Sequence, residues 1–238
     1  MIIVLLFALF ESGLFPENFF TEDQFNPALI RNKPAVLSFC AGTRFSMSEL
    51  REYEIHLQSG SYSIGLNSLG SELYRENDLN GSFNVLIYDL ISAGLGLHVL
   101  NCWISGNSNR FNYSLRAGSA GQLGPLLLSG WINNINQPRF SSGDRLPVTY
   151  SVRADYTLEN RIVFSLAVRS IAGNLLFYNT GIKSRFFNLV EIGFGLNTDP
   201  VLIEFVGCFR LGRLSLVYQG SSHYDLGLSH TFGAMFQL

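Results

Sequence analysis

The chain consists almost entirely of segments of about ten residues in which apolar and polar side chains alternate. In segment 161–170, for example, Phe164 and Leu166 share one phase of the alternation, whereas Ser165 and Arg169 share the other. Successive side chains of a β-strand point to opposite faces of a sheet, so each phase occupies one face. Fourteen such segments are predicted: 36–46, 53–59, 62–72, 82–88, 94–104, 111–119, 125–134, 147–156, 161–170, 174–184, 188–197, 201–210, 213–220 and 225–237.

The short connections between these segments predict an antiparallel up-and-down sheet. A soluble sandwich or barrel would turn its apolar faces inward, but a closed meander of fourteen strands is too wide for side chains to fill. Segments of about ten residues also match the length of tilted membrane-spanning strands. We therefore predict an all-β fold, a closed antiparallel up-and-down transmembrane β-barrel of about 14 strands, with 12 or 16 as alternatives. Its expected location is the outer membrane of a Gram-negative-type bacterium, surrounded by outer-membrane lipid.

Charged residues support this orientation of the two faces. Seven of them fall on the polar phase, and an Arg moved to the lipid face near the middle of the membrane would cost about 2–4 kcal/mol. Trp131 and Tyr178 are also assigned to the polar phase. The predicted lumen-lining residues are Arg116, Arg153, Asp155, Arg169, Glu191, Glu204, Arg210 and Trp131.

Composition excludes several classes of function. Charged residues make up 14% of the chain and the net charge is −2, which gives no basic stripe for nucleic acid. The three cysteines are far apart and form no metal-binding motif, so we expect neither a metal nor a cofactor. An outer-membrane hydrolase is disfavoured because His98 has no evident orienting partner and no GxSxG motif occurs. We therefore expect no enzymatic activity.

The two ends of the chain suggest processing and assembly signals. The apolar run 1–10 has the length of a secretory signal core, so residues 1–12 are assigned to a signal peptide; a buried N-terminal strand is the alternative. Residues 13–34 are assigned to a plug or periplasmic segment and 35–238 to the barrel. Residues 224–238 alternate and end on Leu238, which is similar to the signal read by the barrel-assembly machinery, an expected partner.

Short motifs indicate a family resemblance. The tripeptide Asn26, Pro27 and Ala28, the stretch GSELYRE at 70–76 and LGLSHTFG at 226–233 resemble those of PorV/PorQ-like outer-membrane proteins. These belong to the wider fourteen-stranded FadL-type (long-chain fatty-acid transporter-like) class. The resemblance implies transport of a hydrophobic ligand or a type IX secretion adaptor for the C-terminal domains of secreted proteins. It also implies that the tripeptide plugs the lumen; a tail that only covers the periplasmic mouth is equally compatible.

Three hypotheses remain, and each predicts a different structure. A conduit should have a lateral gap or kinked strand near an apolar pocket in the lumen. An adaptor should have a sealed lumen and an exposed apolar patch in the longest outer loop, near 135–146. A purely structural barrel should be closed and filled, with neither feature. The other outer loops are predicted to be brief, including one at 73–81.

Overall fold

A computed structural model describes residues 26–30, 33–88, 90–106, 109–139, 145–171, 175–198, 201–223 and 225–238. Fourteen strands form one closed barrel in which every strand pairs with its neighbours in sequence and β1 pairs with β14. The strands are β1 Lys33–Thr43, β2 Arg51–Gly60, β3 Tyr62–Gly70, β4 Tyr74–Ile87, β5 Ile91–Ile104, β6 Arg110–Leu123, β7 Leu126–Asn133, β8 Thr149–Leu158, β9 Ile162–Ile171, β10 Leu175–Phe186, β11 Val190–Thr198, β12 Val201–Leu211, β13 Leu214–His223 and β14 Gly227–Gln237. The predicted fold class and strand number are confirmed.

The two ends of the barrel differ. The start of β1 and the end of β14 lie at what we call the terminal end, where tight turns such as Gly124–Pro125 and Gly212–Arg213 join the strands. The opposite, or loop, end carries the longer connections, of which 134–148 is the longest. All ladders are antiparallel, as the even strand count requires for a closed meander. Within the described residues, no helix is long and apolar enough to cross a membrane.

The distribution of side chains is the reverse of that in a soluble protein. Among the described residues, 24 polar or charged residues are buried against 13 apolar ones, while Phe164, Leu166 and many other large apolar side chains are exposed. Monomeric soluble proteins rarely expose contiguous apolar patches larger than a few hundred Å². An apolar outer wall around a polar interior is the arrangement expected of a barrel that spans a lipid bilayer.

Strand β4 departs from the predicted pattern. The prediction of an outer loop at 73–81 is wrong, because β4 begins at Tyr74 and runs through this segment. At the start of β4, Arg75, Glu76 and Asn77 are all polar although they point alternately to the two faces of the sheet. The sequence therefore shows no alternation there.

The predicted signal peptide 1–12 and residues 13–25 of the predicted plug lie outside the described residues.

Candidate functional site

The inner wall of the barrel is unevenly filled. Every inward-facing residue of β5 from Ser92 to Cys102 is buried, and most of those of β2 and β4 are also buried. By contrast, the inward-facing residues of β9 and β10, such as Ser165, Ala167 and Asn179, are only half-buried. The open part of the bore therefore runs along β9 and β10.

The structure places all the predicted lumen-lining residues on the inner face. Arg153 Nε donates to Asp155 Oδ1 at 2.9 Å, and Arg153 Nη2 donates to Ser165 Oγ at 3.3 Å. Arg169 lies opposite Ser151 in the β8–β9 ladder. Trp131 is 3% exposed and so does not line the open part of the bore. The prediction that Tyr178 lies on the polar, inner face is wrong, because its side chain is exposed on the outer wall and its neighbour Asn179 faces inward.

A cluster of opposite charges lies near the terminal end of β10–β12. Glu191 is 3% exposed, and three cations surround it: Lys183 Nζ at 3.5 Å, Arg185 Nε at 3.3 Å and Arg210 Nη2 at 2.9 Å. Glu204 lies two inward positions closer to the loop end than Cys208, the β12 residue that pairs with Glu191, and it accepts a hydrogen bond from Asn197 Nδ2. The sequence predicted Glu191 and Arg210 but missed both β10 cations, although Lys183 and Arg185 share the polar phase of their strand.

A second polar cluster lies on the filled side. His98 Nδ1 lies 2.9 Å from both carboxylate oxygens of Asp78, and all of Asp78, His98 and Arg116 are buried. Asp78 is the orienting partner that the sequence did not reveal, because it lies in the segment predicted as a loop. The serine opposite His98, Ser114, donates its hydroxyl proton to Asn134 Oδ1 at 2.7 Å. This arrangement orients His98 but does not provide it with an activated serine nucleophile.

The Asn26–Ala28 tripeptide lies inside the barrel against β4, β5 and β6. It forms a 3₁₀ turn, Pro27–Leu29, in which the Asn26 side chain accepts a hydrogen bond from Ala28 N. Asn84 Nδ2 and Ser92 Oγ each donate to Ala28 O at 2.8 Å.

Two glycines make room for this turn. A Cβ at Gly94 would overlap the Pro27 backbone, and one at Gly118 would overlap the Asn26 carboxamide. The tripeptide therefore occupies the part of the bore that lies against β4–β6 near the terminal end.

The wall of the barrel is interrupted at the loop end between β6 and β7. The β6–β7 ladder ends at the Ala117–Ile132 pair, and β7 ends at Asn133. Asn134 then turns the chain with a positive φ of 54°. Residues 110–116 of β6 consequently have no strand partner on this side within the described part of the chain.

The side chain of Asn136 takes the place of the missing strand. Its Oδ1 accepts from Leu115 N at 2.9 Å, and its Nδ2 donates to Tyr113 O at 2.7 Å. Ile135 N also donates to Leu115 O at 3.1 Å. Tyr113, Leu115 and Ile135 are exposed on the outer wall, so this interruption, which we call the side window, lies within the apolar band.

An apolar cluster lies inside the bore behind the side window. Leu100 and Cys102 face inward from β5 and pair with Asn112 and Arg110, which belong to the part of β6 beyond the end of the β6–β7 ladder. Leu146, from the longest loop, is 2% exposed and packs against Leu100 and Cys102, with Tyr74 and Ile104 beside them. The loop is held by Asn134 Nδ2, which donates to Pro147 O at 3.0 Å.

The exposed apolar patch that the adaptor hypothesis requires on this loop is not formed by Pro138 and Leu146, which are buried. Ile135 is exposed, and residues 140–144 lie outside the described part. The three cysteines are free thiols and are buried. In the part of the chain that the structure describes, no group of three or more His, Cys, Asp or Glu side chains could hold a metal ion.

Comparison with known proteins shows a fold relationship without sequence similarity. No protein-family model and no curated protein sequence matches the chain. Among solved structures, the CymD monoaromatic hydrocarbon channel superimposes with a TM-score of 0.68 at 9% identity, over 94% of each chain. The Ralstonia pickettii toluene transporter TbuX gives 0.62 at 9% identity, over 89% of this chain and 91% of that one. A Pseudomonas aeruginosa FadL homologue also gives 0.62 at 9% identity, over 95% of each chain.

These neighbours share the fold expected from the FadL-type resemblance. Nothing in the three structures supports the narrower resemblance to PorV/PorQ-like proteins.

Proposed function

We propose that this chain is an outer-membrane channel for small hydrophobic molecules. The observation that carries the proposal is the side window between β6 and β7, with an apolar cluster directly behind it. This is the combination that the conduit hypothesis requires: an apolar site in the lumen and an interruption of the wall beside it. The names of the structural neighbours, a hydrocarbon channel and a toluene transporter, point to the same class of solute.

The proposed route runs from the loop end to the lipid through the side window. An apolar solute would enter beside Leu146, contact Leu100 and Cys102, and leave past Leu115 and Ile135 into the hydrocarbon. It would not need to pass the charged residues on the inner face of β8–β12. Displacing water from such polar groups without replacing their hydrogen bonds is unfavourable. The tripeptide Asn26–Ala28 would oppose passage through the terminal end on the β4–β6 side.

The adaptor function receives less support from the same loop. Docking of a secreted domain would need an apolar surface turned outward at the loop end. Pro138 and Leu146 are instead buried, and Leu146 belongs to the internal cluster.

Uptake by intact Gram-negative cells tests the proposed function. We expect cells that express the chain to take up radiolabelled toluene several-fold faster than cells without it, while uptake of a small sugar is unchanged. Equal toluene uptake in both would support a purely structural barrel. Faster uptake of both solutes would indicate an unselective pore. Either result would overturn the proposal.

A further inference from the structure

A cleft at the terminal end of β8–β10 combines apolar and cationic groups. Its volume is about 390 Å³, and it lies between the β8–β9 and β10–β11 turns. Leu158, Ile162 and Phe186 line it from the outer face, and Arg161 and Arg185 line it from the strand ends. The hydrogen bond from Arg185 N to Arg161 O, 2.8 Å long, holds Arg185 of β10 beside Arg161, the last residue of the β8–β9 turn.

The two arginines differ in their partners. Arg185 shares Glu191 with two other cations. Arg161 is exposed, and its guanidinium forms no ion pair with any residue in the described part of the chain. Glu159, also in the cleft, offsets part of the positive charge. Arg161 therefore supplies the cation that remains available to an anionic ligand.

The turn beside the cleft carries a strained aromatic residue. Phe187 has a φ of 49° and Asn188 a φ of 57°, the pairing typical of a type I′ turn, which favours Asn, Asp or Gly at both positions. A bulky residue in this left-handed region is a genuine outlier. Phe187 is 92% exposed, so packing within the chain does not explain it. Strain of this kind often marks a functional position.

We propose that this cleft binds one phospholipid molecule from the leaflet at the terminal end. The phosphate would bind Arg161, because a guanidinium donates two parallel hydrogen bonds to phosphate oxygens; Arg185, which is held by Glu191, would add positive charge beside it. An acyl chain would follow Leu158, Ile162 and Phe186 along the outer wall, and Phe187 would insert beside the headgroup as interfacial aromatic residues do. The site rests on the membrane location in the proposed function but not on transport of any solute.

Native mass spectrometry of the purified barrel in dodecyl maltoside tests the site with dioleoyl phosphatidylglycerol as the probe. We expect one tightly held lipid per barrel and at least about tenfold weaker binding in Arg161→Gln, as expected for loss of a charge-assisted hydrogen bond. Arg213→Gln is the matched control: it removes one arginine from the same end, and like Arg161 its carbonyl accepts a backbone hydrogen bond, here from Gln237 N. It should bind as the wild type does.

Two further comparisons identify what is bound. Glu159→Gln should bind the lipid more tightly, because it removes a carboxylate that repels phosphate. Dioleoylglycerol, which lacks the phosphate, should bind at least about tenfold more weakly, and inorganic phosphate should not compete at millimolar concentration. Equal losses in Arg161→Gln and Arg213→Gln, or equal binding of dioleoylglycerol, would overturn the proposal.

Heat-modifiable mobility on a gel confirms that each variant is folded. Arg161→Lys provides a second test, because it keeps the positive charge but loses the planar pair of N–H donors of the guanidinium. Toluene uptake is a separate readout, so failure of one proposal does not decide the other.

Discussion

Asn136 shows how a single side chain can complete a sheet. Its carboxamide accepts from Leu115 N and donates to Tyr113 O, which is what a peptide group of a neighbouring strand would do. The wall is thereby closed at the side window without a continuous ladder. Two side-chain hydrogen bonds are easier to release than a strand, because net contributions of single hydrogen bonds are only about 0.5–1.5 kcal/mol each.

Adjacent residues of β9 test which face meets the lipid. Leu166 is exposed on the outer wall, and Ser165 faces the half-filled bore opposite Asp155. We expect Leu166→Arg to lower the free energy of unfolding from lipid vesicles by about 2–4 kcal/mol. Ser165→Arg should cost less, about 1 kcal/mol, because water in the bore solvates the added guanidinium, although it shares Asp155 with Arg153 and loses the hydrogen bond from Arg153 to Ser165 Oγ. Urea titration followed by tryptophan fluorescence measures both.

Equal destabilisation by the two arginines would contradict the assignment of the faces. The sequence predicts these faces well because side chains alternate strictly along a strand. All residues of one phase of β8 or β9 must therefore lie on the same face of the sheet. It does not predict cross-strand partners. The contact of Asp78 with His98 depends on the β4–β5 register, which alternation alone leaves open.

At the scale of elements, the strands are predicted with boundaries that differ from the observed ones by a few residues, except where both faces are polar. Arg75, Glu76 and Asn77 hid the first half of β4. Strand β7 is predicted to within one residue at each end, but the sequence does not show that the chain leaves the β6–β7 ladder after Ile132, because the alternation continues to Asn134. What ends β7 is the positive φ of Asn134 and its contacts to Ser114 and Pro147, which are tertiary.

The plug is an element whose role remains a prediction, and Gly118 tests it. Gly118→Ala places a Cβ against the Asn26 carboxamide, so we expect the tripeptide to be displaced and the ion conductance of the barrel in planar bilayers to rise several-fold. Gly121→Ala is the matched control on the same strand, because its Cβ would meet only Leu90 O at 3.8 Å. Unchanged conductance in both variants would contradict the prediction that the tripeptide plugs the lumen.

In the molecule as a whole, one side of the bore is occupied by chain segments and the opposite side is partly open. The β4–β6 wall holds the tripeptide near the terminal end and the folded loop near the loop end, whereas the β9–β10 wall remains half-open. A bore of fourteen strands is wide enough for both. The fold class follows from strand number and alternation, but the position of the side window follows from where one loop folds inward, which no local pattern in the sequence specifies.

A disulfide across the side window tests the central claim most directly. The backbones of Leu115 and Ile135 share a hydrogen bond, which brings their side chains within reach of a disulfide. In intact cells, we expect Leu115→Cys/Ile135→Cys to lose toluene uptake on oxidation and to recover it on reduction. The control pair Leu196→Cys/Ile203→Cys joins two outward residues of the intact β11–β12 ladder and should transport in both states. Uptake that continues through the oxidised Leu115–Ile135 variant would contradict the account.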